Sequence, residues 1–363
     1  QYPWYVVYDD HESANNSWVG GAENHDAGEG NWSDRVSAAK KAFFEWIPIR
    51  DNQDSNIYHT VEFGKLAEFY FLDTRLDGRD DPEGMANDDP NKKMISQVQY
   101  NWLTSEMYDA EFIDSVKWKI ISQQVMFAPL LLMGITLNSD QWDGYEVQRQ
   151  QILNFIYGWS ITNPVILTGD IHTSWANDVP NPTMGSYGSN GQGTGAVEFV
   201  TPSVTSPSTD FGAGIGEAAI MAANSHIKYC DLAHRGYYVL DINKNRCQAD
   251  WYQVDDIDTQ NTNEHWDESW YADDGQTYLK SSSIPAVRFP PYQPLAPLYP
   301  SQAVEKDYKP VGVVLVGTYP NPFQEKLSLQ FYSDEITDMT ISVIDINGQQ
   351  IYQTEYQNEC LDL

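Results

Sequence analysis

Six short apolar runs most constrain what this chain can form: residues 5–8, 67–72, 118–122, 165–168, 196–200 and 237–241. Several are continuous rather than alternating, as strands covered on both faces require. Between them lie stretches with helical spacing. Residues 91–107 read as one helix, with Asp88, Asp89 and Pro90 as its cap and first turn. Residues 144–159 read as a second. Buried strands alternating with helices predict a layered α/β domain over 1–255 or so. With 363 residues, the chain is long enough for one large core and a smaller module.

The pattern changes after that domain. Residues 256–310 are polar and then proline-rich, ending in "RFPPYQPLAPLYPSQ". Prolines at that density oppose helix and interior strand and favour an extended tether. The main domain is therefore expected to span 1–300, with 256–300 its least defined part, and 301–312 to be a linker. From 313 to 363 the signals are those of a small all-β module. "KLSLQF" and "TISVID" alternate strictly, "YPNPF" is a turn element, and "INGQ" is an Asn-Gly hairpin turn.

Charge excludes some functions. The net charge of −31 repels nucleic-acid backbones, so no nucleic-acid-binding surface is expected. The same surface attracts divalent cations and suits a secreted or cell-surface chain. No apolar run approaches the ~18 residues of a transmembrane helix. The three cysteines, Cys230, Cys247 and Cys360, fit no zinc spacing. Cys230 and Cys247 either pair or stand as two buried thiols. There is no Gly-x-Ser-x-Gly elbow, no phosphate-binding Walker loop and no Rossmann glycine fingerprint.

Two strand ends carry metal-liking side chains. In "NPVILTGDIHTSWAND" a buried strand ends in Gly169, Asp170 and His172. Ligands collect at the carboxyl ends of strands in open α/β sheets. A carboxylate and an imidazole two residues apart there suit iron, manganese or zinc; a solvated strand end with a capping aspartate gives the same short motif. "YVVYDDHESANN" repeats the layout with Asp9, Asp10, His11, Glu12, Asn15 and Asn16. Asparagine oxygens suit harder cations. Two such ends in one domain favour a metal site over solvation alone. "FYFLDTRLDGRDDP" adds Arg75 and Arg79, either clamps for a phosphate or carboxylate or structural partners of nearby aspartates. "SHIKYCDLAHRGYYVLDI" adds His226, a ligand, a substrate contact or a structural loop histidine, together with His234 and Arg235.

These stretches, with "SVKWKIISQQVMFAPL", "QWDGYEVQRQQIL" and "EFVTPSVTSPS", occur in the order seen in the alkaline phosphatase D (PhoD-like) phosphatases. The chain resembles that family over about residues 1–255. The resemblance implies a metallophosphoesterase-like β-sandwich flanked by helices, hydrolysis of phosphomonoesters or phosphodiesters, and iron plus calcium as metals. It implies Asn15, Asp170 and His172 as metal ligands. Asp10 and His11 fall in positions that orient ligands or assist proton transfer, and Arg75 and Arg79 match the family's arginine loop; the expected roles are catalytic for Asp10, His11 and Arg75 and substrate-binding for Arg79 and, from its place in the sequence, His226. The family's first ligand blocks lie upstream of its DDHE segment, and this chain starts at Gln1. The expectation is a stretch that lacks upstream sequence, binds metal weakly and turns over poorly, while the intact protein is a competent monomeric hydrolase. A degenerate phosphatase-fold surface-binding protein is the alternative. The C-terminal stretch resembles the opening half of the type IX secretion sorting domain of Bacteroidetes, which implies the secretion machinery as partner and an outer-membrane-exposed or secreted product; a generic β-sandwich appendage is the alternative.

Overall fold

The computed structural model describes residues 3–47, 49, 56–188, 190–207, 216–259, 261–287, 313–319, 328–333, 339–344 and 350–356. The chain divides into two compact units, Gln1–Val287 and Arg288–Leu363. In the first, helix α1 (Trp32–Trp46) precedes strands β1 (His59–Phe63) and β2 (Ala67–Phe71). Helix α2 (Gln97–Phe112), strand β3 (Trp118–Ser122) and the tight hairpin β4 (Leu131–Leu132) and β5 (Ile135–Thr136) follow. Then come α3 (Glu146–Gly158), β6 (Pro164–Thr168), β7 (Ser174–Pro180), β8 (Thr194–Val200), the short α4 (Glu217–Ala223) and β9 (Ile227–Asp231). Strands β10 (Gly236–Ile242), β11 (Arg246–Val254), β12 (Glu264–Asp273) and β13 (Lys280–Ser282) complete the unit.

Seven strands form one mixed sheet in the order β1-β2-β3-β6-β8-β7-β9. The four central strands β2, β3, β6 and β8 are parallel, and the outer pairings are antiparallel. A second, antiparallel sheet runs β10-β11-β12-β13. Strand periodicity sorts the side chains between two cores. Tyr70, Ile121, Ile166 and Ala196 face α2 and α3, against Leu103, Met107, Ile152 and Ile156. Their neighbours Ala67, Ile120, Val165, Val197 and Phe199 face the second sheet, against Cys247, Ala249, Trp251 and Ala272. Both faces of the central strands are dry, which is why their sequence reads as continuous apolar runs. Two indole N–H groups tie the sheets together: Trp118 donates to the Asn243 carbonyl at 2.8 Å and Trp251 to that of Val200 at 3.1 Å. The result is the expected sandwich of sheets with a flanking helical layer. Among the described residues, no helix is long and apolar enough to cross a membrane.

Three local expectations differ. Residues 5–8 form no strand; the segment is held by side chains instead of a ladder, since Gln124 Nε2 donates to the Tyr8 carbonyl at 2.8 Å and the Tyr8 hydroxyl donates to Asp73. Helix α2 starts at 97, not 91. Asp89 caps only a turn, accepting from Asn91 N at 2.8 Å, and Gln148 Oε1 accepts from both Met94 N and Ile95 N. That leaves Ser96 as the true cap, accepting from Gln99 N at 3.0 Å. The stretch after 255 is more ordered than its composition suggests. Strand β12 lies inside the second sheet, where Trp270 and Ala272 turn inward. Cys230 and Cys247 are free and buried; burial first, then Glu217 and Asp231, pushes the Cys230 thiol up to about 12.

In the second unit, β14 (Val313–Tyr319) pairs with β15 (Ser328–Ser333), and β16 (Met339–Ile344) with β17 (Gln350–Tyr356), as antiparallel hairpins. Most of "YPNPF", all of "INGQ" and the expected linker 301–312 lie outside the described residues.

Candidate metal centre

The carboxyl ends of β2, β3 and β6 meet at one rim of the large sheet. After β2 the chain enters Asp73, Thr74 and Arg75. Asp73 is buried, and its Oδ1 accepts from Arg75 N at 3.0 Å and Leu76 N at 2.8 Å. This turns the loop so that the Arg75 side chain runs back under the rim. After β3, Gln124 fastens the rim to the N-terminal segment. Its Nε2 donates to the carbonyls of Tyr8 and Leu72, while its Oε1 accepts from Thr74 N and Oγ1 at 3.1 and 2.6 Å. After β6, Asp170 and His172 both take left-handed backbone conformations, with φ of 64° and 61°. The two reversals turn each side chain off the strand direction, a conformation that costs energy for any residue but glycine.

Arg75 is the hub. It is fully buried, and each of its three nitrogens donates to a different carboxylate. Nε reaches Asp9 Oδ1 at 2.7 Å, Nη1 reaches Asp140 Oδ2 at 2.7 Å, and Nη2 reaches Asp170 Oδ1 at 2.5 Å. Burial opposes its charge, but Asp9, Asp140 and Asp170 hold the guanidinium protonated well above its ordinary range. Arg79, also buried, donates to Asp140 Oδ1 at 2.5 Å and to the carbonyls of Asp140 and Thr74. Burial raises the Asp140 carboxyl, and the two guanidinium groups outweigh it, holding it below the usual carboxylate range. Asp170 goes the other way. Burial pushes it well above that range; Arg75 pulls it down, and Asp9, Asp140 and Asp10 push it further up.

Asp9, Asp10 and Asp170 each bring a carboxylate oxygen within 4.8 Å of the others. Asp10 is itself oriented: its Oδ1 accepts from His11 N at 2.9 Å and its Oδ2 from Asn16 N at 2.8 Å. Of these three carboxylates, Asp9 and Asp170 are paired with the one guanidinium, whose third partner is Asp140, and Asp10 adds a further negative charge beside them. The excess negative charge is the condition a bound cation relieves. All-oxygen donors fit calcium, manganese or iron better than a thiolate-seeking metal, so the donor set fits a metal centre.

The other expected site residues sit as follows. His172 Nδ1 lies 2.8 Å from the Pro207 carbonyl. A hydrogen on Nδ1 directed there leaves the Nε2 lone pair available, the arrangement typical of metal-binding histidines. Asn15 follows Asp10 around the same turn, but its Nδ2 donates to Glu23 Oε2 at 2.7 Å, as does that of Asn16. The His11 side chain is 70% exposed, with Nε2 3.9 Å from Asp10 Oδ2. His226 is buried elsewhere, its Nε2 2.7 Å from the Pro129 carbonyl, and burial lowers its proton affinity. Among the described residues no hydrogen bond or ion pair joins it to the carboxylate cluster. Thus Asp10, Arg75 and Asp170 converge, Arg79 joins them through Asp140, and His226 stands apart.

Asp9, Asp140 and Gln124 carry the arrangement without having been assigned a role from sequence. Asp9 is visible in the Asp-Asp doublet. Asp140 and Gln124 arrive from loops 65 and 50 residues from the groups they hold, and no local pattern marks them. Gln124→Ala is expected to lower folding stability by about 2–3 kcal/mol, because four hydrogen bonds to buried groups go unmade. Urea denaturation measures this, and the same variant should show faster proteolysis of the N-terminal segment. A change under ~0.5 kcal/mol would show that Gln124 does not fasten the segment.

Residues 1–251 match the family model described as PhoD-like phosphatase, and residues 317–362 match the secretion system C-terminal sorting domain. The chain is 29% identical over 270 residues to "Alkaline phosphatase D" of Bacillus subtilis (strain 168), an alignment covering 69% of this chain and 44% of that protein. A solved structure titled "Structure of PhoD" superposes with a TM-score of 0.66 at 28% identity, covering 79% of this chain and 56% of that one. The chain thus spans about half the length of the relatives it matches. With its sheet order, its converging carboxylates and the match over residues 1–251, the chain belongs to the PhoD-like phosphatase family.

Proposed function

We propose that the first unit carries the hydrolytic centre of a secreted, metal-dependent phosphoesterase that cleaves phosphate monoesters or diesters. The observation that carries this reading is the convergence of Asp170, which follows the parallel strand β6, with Asp9 and Asp10 of the N-terminal segment, organised by a buried arginine. Asp9, Asp10 and Asp170, with His172 through Nε2 and Asn15 through its amide oxygen, would hold the metals, iron and calcium being the pair the family resemblance implies. When bound, such metals polarise phosphoryl oxygens and lower the pKa of water. The chain's own residues do the rest. Arg75 holds Asp9 and Asp170 at a fixed spacing, and its three nitrogens already face carboxylates, so its part is positioning. Arg79 fixes Asp140 behind it. His11, exposed beside Asp10, is placed to exchange a proton with solvent. The sorting-domain match at 317–362 supports export through a secretion system.

Hydrolysis of p-nitrophenyl phosphate and bis-p-nitrophenyl phosphate by the purified chain tests the reading. Chelation is expected to abolish turnover, and added calcium with iron or manganese to restore it. Metal uptake without turnover on either ester would instead support a surface-binding protein that has kept the fold.

A further inference from the structure

The two arginines in the strand-end loop are committed to carboxylates, but another arginine at the same rim is not. Arg235 lies between β9 and β10. Its Nε donates to the Ser206 carbonyl at 3.0 Å. The segment that accepts this bond leaves the end of β8, where Thr201 N donates to the Thr168 carbonyl at 2.9 Å, two residues before Asp170. One residue beyond Ser206, the Pro207 carbonyl holds His172. The strand pairing agrees: Asp231 at the end of β9 is opposite Ser174, two residues past His172. Arg235 and His172 are therefore anchored on adjacent carbonyls of one loop.

In a chain of net charge −31, Arg235 forms no ion pair among the described residues. The nearest carboxylate in sequence, Asp231, is taken. Its Oδ1 accepts from Ala233 N and His234 N at 2.8 and 2.9 Å, and its Oδ2 from His234 Nδ1 at 2.7 Å and Gln253 Nε2 at 2.5 Å. With Nε tied to a carbonyl, the guanidinium keeps its Nη1 and Nη2 edge, the pair of donors that matches a carboxylate or phosphate bidentately. The orientation is set before any ligand arrives, which lowers the entropic cost of binding. His234, its ring held by Asp231 and its side chain 56% exposed, stands next to it.

We propose that Arg235 is a specificity-determining residue that binds a second anionic group of the substrate, a carboxylate or further phosphate lying beyond the phosphoryl group that reacts. The proposal rests on the phosphoesterase reading above. A substrate with such a group gains a charge-assisted contact; one without it does not.

The test compares 2-phosphoglycerate with glycerol 2-phosphate, which differ only by a carboxylate in place of a hydroxymethyl group. The native chain, loaded with metal, is expected to favour 2-phosphoglycerate in kcat/KM. Arg235→Gln, which keeps a donor for the Ser206 carbonyl, is expected to lower that preference about tenfold or more, mainly through KM. Arg235→Lys should recover part of it, since the charge remains and the fork is lost. A thermal melt of each variant checks the fold. An unchanged preference overturns the proposal, as does an equal loss on both esters, which would put Arg235 on the reacting phosphoryl group. Failure of the native protein to hydrolyse these two monoesters and the diester bis-p-nitrophenyl phosphate alike overturns the phosphoesterase reading itself.

Discussion

Asp170→Asn is expected to lower kcat/KM for phosphate ester hydrolysis by about a thousandfold or more and to reduce bound metal, with little change in melting temperature. The substitution is nearly isosteric. Asparagine tolerates the left-handed backbone at this position, where φ is 64°. Its amide oxygen still accepts the Arg75 Nη2 bond now made at 2.5 Å. What it removes is one negative charge from three carboxylates whose oxygens lie within 4.8 Å of one another. A stabilisation of transition-state charge by bound metal amounts to several kcal/mol, and each ~1.4 kcal/mol is a factor of ten in rate. Losing a ligand from such a centre therefore removes most of the rate. Elemental analysis of the purified variant and an ester hydrolysis assay give the answer together. Full activity with native metal content would remove Asp170 from the site.

The second large effect falls on folding. Arg75→Met is expected to cost about 3–5 kcal/mol of stability, the range for removing one partner from a buried ion pair. Methionine fills the stem's volume but leaves Asp9, Asp140 and Asp170 without the guanidinium each now faces. Arg79 still neutralises part of Asp140 through Oδ1, so the burden shifts to Asp9 and Asp170. Chemical denaturation of both proteins after metal removal measures the difference without a cation standing in for the arginine. Adding Asp170→Asn to Arg75→Met should recover part of the loss, because the two groups share one network and their effects do not add. A loss below ~1 kcal/mol would mean that the three carboxylates are solvated rather than held.

Much of the fold was legible because the cause is local. The runs at 67–72, 118–122, 165–168 and 196–200 are strands buried on both faces, and a residue with core on either side must be apolar whatever its neighbours are. The helix at 144–159 was legible for the same reason: Ile152, Leu153 and Ile156 recur at helical spacing. The misread places have non-local causes. The start of α2 depends on Gln148 accepting two backbone N–H groups from more than fifty residues away. Residues 5–8 look like a strand because they are apolar, yet Gln124 and Asp73 hold them without a ladder. Strand β12 is masked by acidic residues on its solvent side, and only its pairing with β11 shows which side that is.

The same division runs through the site. Asp10 and Asp170 were apparent in sequence, since each follows an apolar run and stands beside other metal-liking side chains. Arg75 was visible as a scarce cation after a strand. The sequence by itself determined that carboxylates and an arginine end these segments. Only the tertiary structure decided that Arg75 divides its three nitrogens among Asp9, Asp140 and Asp170, and that Asp140 occupies Arg79 as well. It also decided that, among the described residues, Arg235 is left without a carboxylate. Which charge meets which is settled by loop ends brought together across the sheet, and Coulomb attraction in a buried setting depends on separation in space, which the order of residues along the chain does not encode.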